Sequence, residues 1–231
     1  MSTETKYWHL RNHKLFSVMS NSQIEELCVI VNYKKATKGE IIYFSDDDIK
    51  RIYLLKKGTV KIVEADNNGN EIIKEILQPG DLFGEISLNS DVGSHEFAQA
   101  VSKEVYICSF NMRNFESVLE EHPGIALKFT KLIGFRFKKL RNSYANLVFK
   151  DVRSRLTTFL SDWADKEGVK EGRKVTIDNY LTQQEMAGLV CSSRQTVTQL
   201  LNDLENEGLI SYNRKEIIIN DISKMQSAGN I

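Results

Sequence analysis

The sequence predicts an α+β protein built from three consecutive parts. A β-rich first half closes into a barrel or roll, one long helix follows, and the last part is helical and then β. Three observations carry that reading. Short runs rich in Ile, Val, Tyr and Phe alternate with turn residues through the first part. A proline-free stretch then repeats its apolar residues every seventh position. Finally, two helix-start signatures sit ten residues apart, at Thr182 and Ser192, ahead of two short β-runs. The expected limits of the three parts are 1–121, 122–150 and 151–231.

In the first part, Ile41-Ile42-Tyr43-Phe44 precedes the turn residues Ser45-Asp46-Asp47-Asp48, and Arg51-Ile52-Tyr53-Leu54-Leu55 precedes Lys56-Lys57-Gly58. Val60-Lys61-Ile62-Val63-Glu64 alternates as a half-buried strand does. Asn67-Asn68-Gly69-Asn70 suits a tight hairpin, because Asn and Gly tolerate positive φ. Glu71 to Leu77 resumes the strand pattern, Pro79-Gly80-Asp81 ends it, and Glu104 to Cys108 is the last strand expected.

From Ile125 to Phe149 there is no proline, and Gly134 is the lone glycine. Ile133, Phe137, Leu140, Tyr144 and Leu147 recur at spacings of 4, 3, 4 and 3, a heptad seam. Such a seam must be covered, either by the rest of the chain or by a copy of itself. Pro123 stands where a helix tolerates proline, at its start. Residues 125–150 carry seven basic and no acidic side chains, whereas 1–124 carry 14 and 19, and 151–231 carry 10 and 12.

The last part opens with an amphipathic helix marked by Val152, Leu156, Phe159, Leu160 and Trp163; residues 168–178 read as a polar link. Thr182-Gln183-Gln184-Glu185 has the form of a capping box, and Ser192-Ser193-Arg194-Gln195 reads as a second. With Met186, Ala187, Val190, Val197, Leu200 and Leu201 turned inward, the two short helices form a helix-turn-helix, with small Ala187 at the crossing. The second helix of such a motif enters the DNA major groove. Its first turns present Arg194, Gln195, Thr196, Thr198 and Gln199. Arg can grip guanine and Gln adenine through paired hydrogen bonds. Ser192, Ser193 and the helix-start amides suit a phosphate. Arg214 and Lys215, in the turn between Leu209–Tyr212 and Glu216–Ile219, form the tip of a wing placed for backbone phosphates.

Composition narrows the alternatives. The 231 residues hold 31 Lys plus Arg and 31 Asp plus Glu, which excludes a uniformly basic nucleic-acid binder and makes any DNA contact local. The longest apolar run, Leu27 to Val31, is far short of the roughly twenty residues of a membrane span, and the first residues lack the core of a secretory signal. Cys28, Cys108 and Cys191 lie far apart, against a disulfide framework or a metal knuckle and consistent with a cytoplasmic protein. No nucleophile–base pair, zinc-ligand spacing or nucleotide loop points to an enzyme, and no cofactor is expected. His9 and His13, four apart, fit a surface helix better than a metal pair. Two readings stay open: a dimeric regulator that reads double-stranded DNA, and a ligand-sensing β-roll that regulates a protein partner without binding DNA.

The chain resembles the cyclic-AMP receptor protein/FNR family of bacterial transcription regulators. The likeness rests on Lys38-Gly39-Glu40-Ile41, on Leu54 to Val60, on Pro79-Gly80-Asp81-Leu82-Phe83-Gly84-Glu85, and on Leu181 to Ile210. The resemblance implies a cyclic-nucleotide-binding-like β-roll (a double-stranded jelly roll), a long dimerisation helix and a winged helix-turn-helix. It also implies a homodimer joined along the seam, base contact by Arg194, RNA polymerase as partner, and an effector pocket at Gly84, Glu85, Ile86, His95, Glu96, Leu140 and Arg141. The family's cyclic-nucleotide binders place Arg-Ser or Arg-Thr where this chain has His95-Glu96, and Thr-Ser where it has Leu140-Arg141. A carboxylate beside a phosphate is unfavourable, so tight cyclic-AMP binding is not expected and the effector is unknown. The iron–sulfur branch needs an N-terminal cysteine cluster, and Cys28 stands alone there; haem ligation by His95 rests on family analogy only. Cys191 replaces the glycine common at the turn and reads as a buried thiol, with a redox switch as the alternative.

Overall fold

The computed structural model describes residues 3–44, 49–66, 69, 71–84 and 96–228. Chain contacts divide it into two units, Met1–Phe137 and Lys138–Ile231, the division falling inside one continuous helix. The elements of the first unit run α1 (Thr3–Arg11), α2 (Asn21–Ile30), β1 (Asn32–Thr37), β2 (Ile41–Phe44), β3 (Arg51–Lys57), β4 (Val60–Ala65), β5 (Glu71–Leu77), β6 (Leu82–Gly84), β7 (Glu96–Ala100), β8 (Glu104–Asn111) and α3 (Met112–Glu121). The long helix α4 spans Pro123–Phe149, beginning at the proline as expected. The second unit continues with α5 (Val152–Glu167), β9 (Val169–Glu171), β10 (Lys174–Asp178), α6 (Gln183–Leu189), α7 (Arg194–Asn206), β11 (Ile210–Tyr212), β12 (Glu216–Ile219) and α8 (Ile222–Ala228).

Two four-stranded antiparallel sheets make the roll, in the orders β1-β8-β3-β6 and β2-β7-β4-β5. The period of two sorts their side chains. On β3, Tyr53 and Leu55 face the roll interior with Leu77, Phe83 and Ile107, while Ile52 and Leu54 join a second core with Phe16, Leu27, Phe110 and Phe115. The first sheet is thus covered on both faces, by its partner sheet and by helices. That is why Arg51–Leu55 lacks the alternation of a one-sided strand. Strands β1, β6 and β7 carry no strong signal: β1 is a polar edge with Ala36 alone buried, and β6 is three residues long.

Two expectations for the N-terminal stretch change. His9 and His13 do not share a surface helix, since α1 stops at Arg11 and packs inward through fully buried Leu10. His13 lies in the following turn, where its Nε2 meets the Gly80 carbonyl at 3.0 Å and its Nδ1 accepts the Leu15 amide at 3.2 Å. Burial holds it down to about 4, so it is neutral near pH 7.

In the second unit the segment read as a polar link is a β-hairpin, β9–β10. Val175 and Ile177 alternate inward, and β10 pairs with β12 to give the order β11-β12-β10-β9. The hairpin β11–β12 forms as read, with the turn at Asn213-Arg214-Lys215.

Candidate nucleic-acid interface

The interface starts from two helix caps. Thr182 accepts the Glu185 amide, and the Glu185 carboxylate returns to the Thr182 amide at 2.7 Å, so the first capping box is present. The second one is not. The cap of α7 is Ser193, one residue later than expected, and it accepts the Thr196 amide at 3.1 Å. Thr196 at the third helical position shares a 2.9 Å hydrogen bond with the Ser193 hydroxyl instead of reaching back to the cap amide, because its side chain is too short. Ser192 stays in the turn, its amide bonded to Ala187 O at 2.9 Å.

The turn itself, Val190 to Ser193, is held from outside the motif. Arg155 of α5 donates to the carbonyls of Val190 at 2.9 Å, Lys150 at 2.7 Å and Cys191 at 3.3 Å. Cys191 adopts φ +50°, the left-handed region that favours glycine. Contrary to expectation it is exposed and not a buried thiol: a residue in that conformation turns its side chain out of the tight corner. Beneath, Met186, Ala187, Val190, Val197 and Leu201 are buried, as the inward pattern predicts, Leu204 is buried as well, and Leu200 is half-buried.

The outer face of α7 presents Arg194, Gln195, Thr196 and Gln199 to solvent. Thr198 is half-buried; its hydroxyl donates to Gln183 Oε1 at 2.7 Å, locking α7 against the start of α6. Gln183, Ser193, Arg194, Gln195, Thr198, Gln199 and Asn202 line a concavity of about 690 Å³. Sequence reasoning missed Gln183 and Asn202. Asn202 falls on the face of Arg194, Thr198 and Gln199, eight residues beyond Arg194, and that helical spacing was the available signal. Its Oδ1 accepts the Tyr212 hydroxyl at 2.8 Å, tying α7 to the wing. Arg214 and Lys215 are exposed at the wing tip, whose shape is set by Asn213 Oδ1 accepting the amides of Lys215 and Glu216.

The effector-pocket residues are only partly described; Glu85, Ile86 and His95 lie outside the described residues. Gly84 ends β6 at φ +104°, where an added Cβ would stand 2.3 Å from Arg51 O, so the backbone there demands glycine. Glu96 opens β7 and is no bare carboxylate: Lys74 pairs with it at 3.0 Å and the Tyr43 hydroxyl donates to it at 3.0 Å. Tyr43 stacks on Tyr53 with ring centres 5.3 Å apart, and Tyr53 on Phe83 at 5.1 Å, filling the interior between the sheets. Leu140 and Arg141 are exposed on α4 in the second unit. The seam residues are exposed in the single chain: Ile133 39%, Phe137 61%, Leu140 65%, Tyr144 69% and Leu147 42%.

A closed β-roll, a long helix and a winged helix-turn-helix with an exposed Arg/Gln face define a DNA-binding transcription regulator with a sensor-type domain. Sequence profiles agree: that of the cyclic nucleotide-binding domain matches residues 33–122, and that of the Crp-like helix-turn-helix domain matches 154–228. A global nitrogen regulator of Synechocystis sp. is 31% identical over 185 residues, 80% of this chain and 82% of that relative. A CRP-like cAMP-activated global transcriptional regulator of Mycobacterium tuberculosis is 29% identical over 188 residues, 81% of this chain and 84% of that relative. A mutant of CooA from Carboxydothermus hydrogenoformans superposes with a TM-score of 0.69 at 27% identity, covering 88% of this chain and 90% of that one. The chain belongs to the Crp/Fnr family of transcriptional regulators.

Proposed function

We propose that the protein acts as a homodimer, clasped along Ile133, Phe137, Leu140, Tyr144 and Leu147, that sets two α7 helices into successive major grooves of a palindromic site. The observation that carries this reading is the pairing of two exposed faces of opposite character. The α7 face is polar and built of base-reading side chains, and the α4 face is an apolar stripe that water does not favour. Arg194 reads a guanine in each half-site, with Gln195 and Gln199 beside it. Ser192, Ser193, Thr196, Arg214 and Lys215 hold phosphates, while Thr198 positions the helix through Gln183. The regulator works in the cytoplasm on RNA polymerase; among the described residues no helix is long and apolar enough to cross a membrane.

The roll offers poor terms to cyclic AMP. Glu96, where the family's nucleotide binders carry Ser or Thr, is already bonded to Lys74 and Tyr43, and aromatic rings fill the space between the sheets. If the roll takes an effector, that compound is therefore not cyclic AMP.

The test is binding of the full chain to a randomised duplex pool at several salt concentrations. The expected outcome is selection of palindromes with half-site centres about 34 Å apart and affinity that falls steeply with salt. Binding without half-site symmetry refutes the dimeric reading. Saturation by labelled cyclic AMP at low micromolar concentration refutes the effector statement.

A further inference from the structure

The first unit carries a second concave surface, remote in sequence from the helix-turn-helix. It lies between α1 with the turn after it, the β5–β6 turn and the early turns of α4, and measures about 840 Å³. That is the size of a small-molecule site, typically ~300–1,000 Å³. Four lysines line it: Lys14, Lys56, Lys128 and Lys131. The one carboxylate among the described lining residues, Asp81, is already engaged, accepting the Gln78 amide at 2.7 Å and facing Arg136 at 3.6 Å. None of the four lysines has a carboxylate partner among the described residues.

Two features separate this groove from an ordinary solvated basic face. Lys56 is recessed at the end of β3, its Nζ donating to the His9 carbonyl at 2.8 Å, and burial pushes its ammonium down to about 8. Trp8, 63% exposed, offers an indole at the rim, and Leu15, Leu55 and Leu132 supply an apolar floor. His13 fastens the turn after α1 to Gly80 in the β5–β6 turn at 3.0 Å, joining two sides of the wall. Neutral His13 adds no charge of its own near pH 7.

We propose that this groove binds a small phosphate monoester carried on a flat ring, the phosphate seated among Lys14, Lys56, Lys128 and Lys131 and the ring against Trp8. A dianionic phosphate, with three acceptor oxygens, matches four ammonium groups better than a single carboxylate does. The site stands in the first unit whether or not α7 reads DNA as described.

The test uses the purified full chain with pyridoxal 5′-phosphate as probe. The neutral Lys56 amine attacks the aldehyde carbon, water leaves, and the resulting imine is reduced by borohydride to a secondary amine that peptide mass spectrometry locates. Expected results are saturable labelling at Lys56, protection by inorganic pyrophosphate, and quenching of tryptophan fluorescence that Trp8→Phe abolishes; the other tryptophan, Trp163, is buried. The double variant Lys14→Gln, Lys131→Gln leaves Lys56 in place and changes two exposed side chains. It raises the half-saturating concentration about tenfold, as loss of charge-assisted hydrogen bonds requires. Labelling that does not saturate, that spreads over exposed lysines such as Lys166 and Lys224, or that is unchanged in the double variant overturns the proposal.

Discussion

Helices α4 and α7 both obey helical periodicity, and their outcomes are opposite. On α7 the apolar residues Val197, Leu201 and Leu204 are fully buried and the exposed face is polar. On α4 only Ile125 is fully buried, and five regularly spaced apolar residues remain between 39% and 69% exposed. An exposed polar face backed by a complete core is ready for a polar ligand. An exposed apolar heptad stripe instead implies a surface of its own kind, and a second copy of the chain supplies one. The basic side chains of α4 suit this role. Lys131, Lys138 and Lys139 occupy heptad positions pointing away from the seam, and Arg136, which flanks it, is tied to Asp81.

The contrast can be broken at either helix. The largest effect is expected from Phe137→Glu with Tyr144→Glu. Each ring contributes ~1.5–3 kcal/mol on full burial and appears twice per dimer, so dimer affinity falls by about four orders of magnitude or more. DNA affinity follows, because two half-sites are no longer engaged together. Sedimentation velocity reads the result, and a dimer that persists removes the seam from the account. Next comes Arg194→Ala, predicted to cost ~1–3 kcal/mol per half-site and to relax base preference while leaving the dimer intact. Selection sequencing checks this, and an unchanged preferred site shows that another residue reads that base. Arg155→Ala sharpens the comparison, because it removes the support of the turn and touches neither exposed face. It should destabilise the second unit by ~1–3 kcal/mol, seen as a lower melting temperature. The smallest effect is Cys191→Gly. Relief of the left-handed strain should add about 1 kcal/mol of stability with DNA binding unchanged, and a loss of stability would mean that Cys191 makes a contact worth more than the strain.

What sequence alone made legible was set by local rules. Thr182 with Glu185, the seam spacings, Pro123 at a helix start and the Asn213-Arg214-Lys215 turn each act within a few residues, and each stands in the structure where it was read. The readings that changed depend on how the chain packs around each residue. Whether Ser192 or Ser193 caps α7 depends on how the turn closes over Ala187 and under Arg155. Whether Cys191 is buried depends on a φ that the motif's corner imposes. Whether residues 168–178 are a link or a hairpin depends on β12, nearly forty residues later in the chain, offering its edge. The basic groove shows this most fully: Lys14, Lys56, Lys128 and Lys131 are unremarkable in sequence, and only folding sets them around one cavity whose lone described carboxylate, Asp81, is engaged elsewhere. Periodicity, caps and turns are properties of a short stretch of backbone and are written there. Burial, charge environment and strand pairing belong to the company a residue keeps, which tertiary structure alone decides.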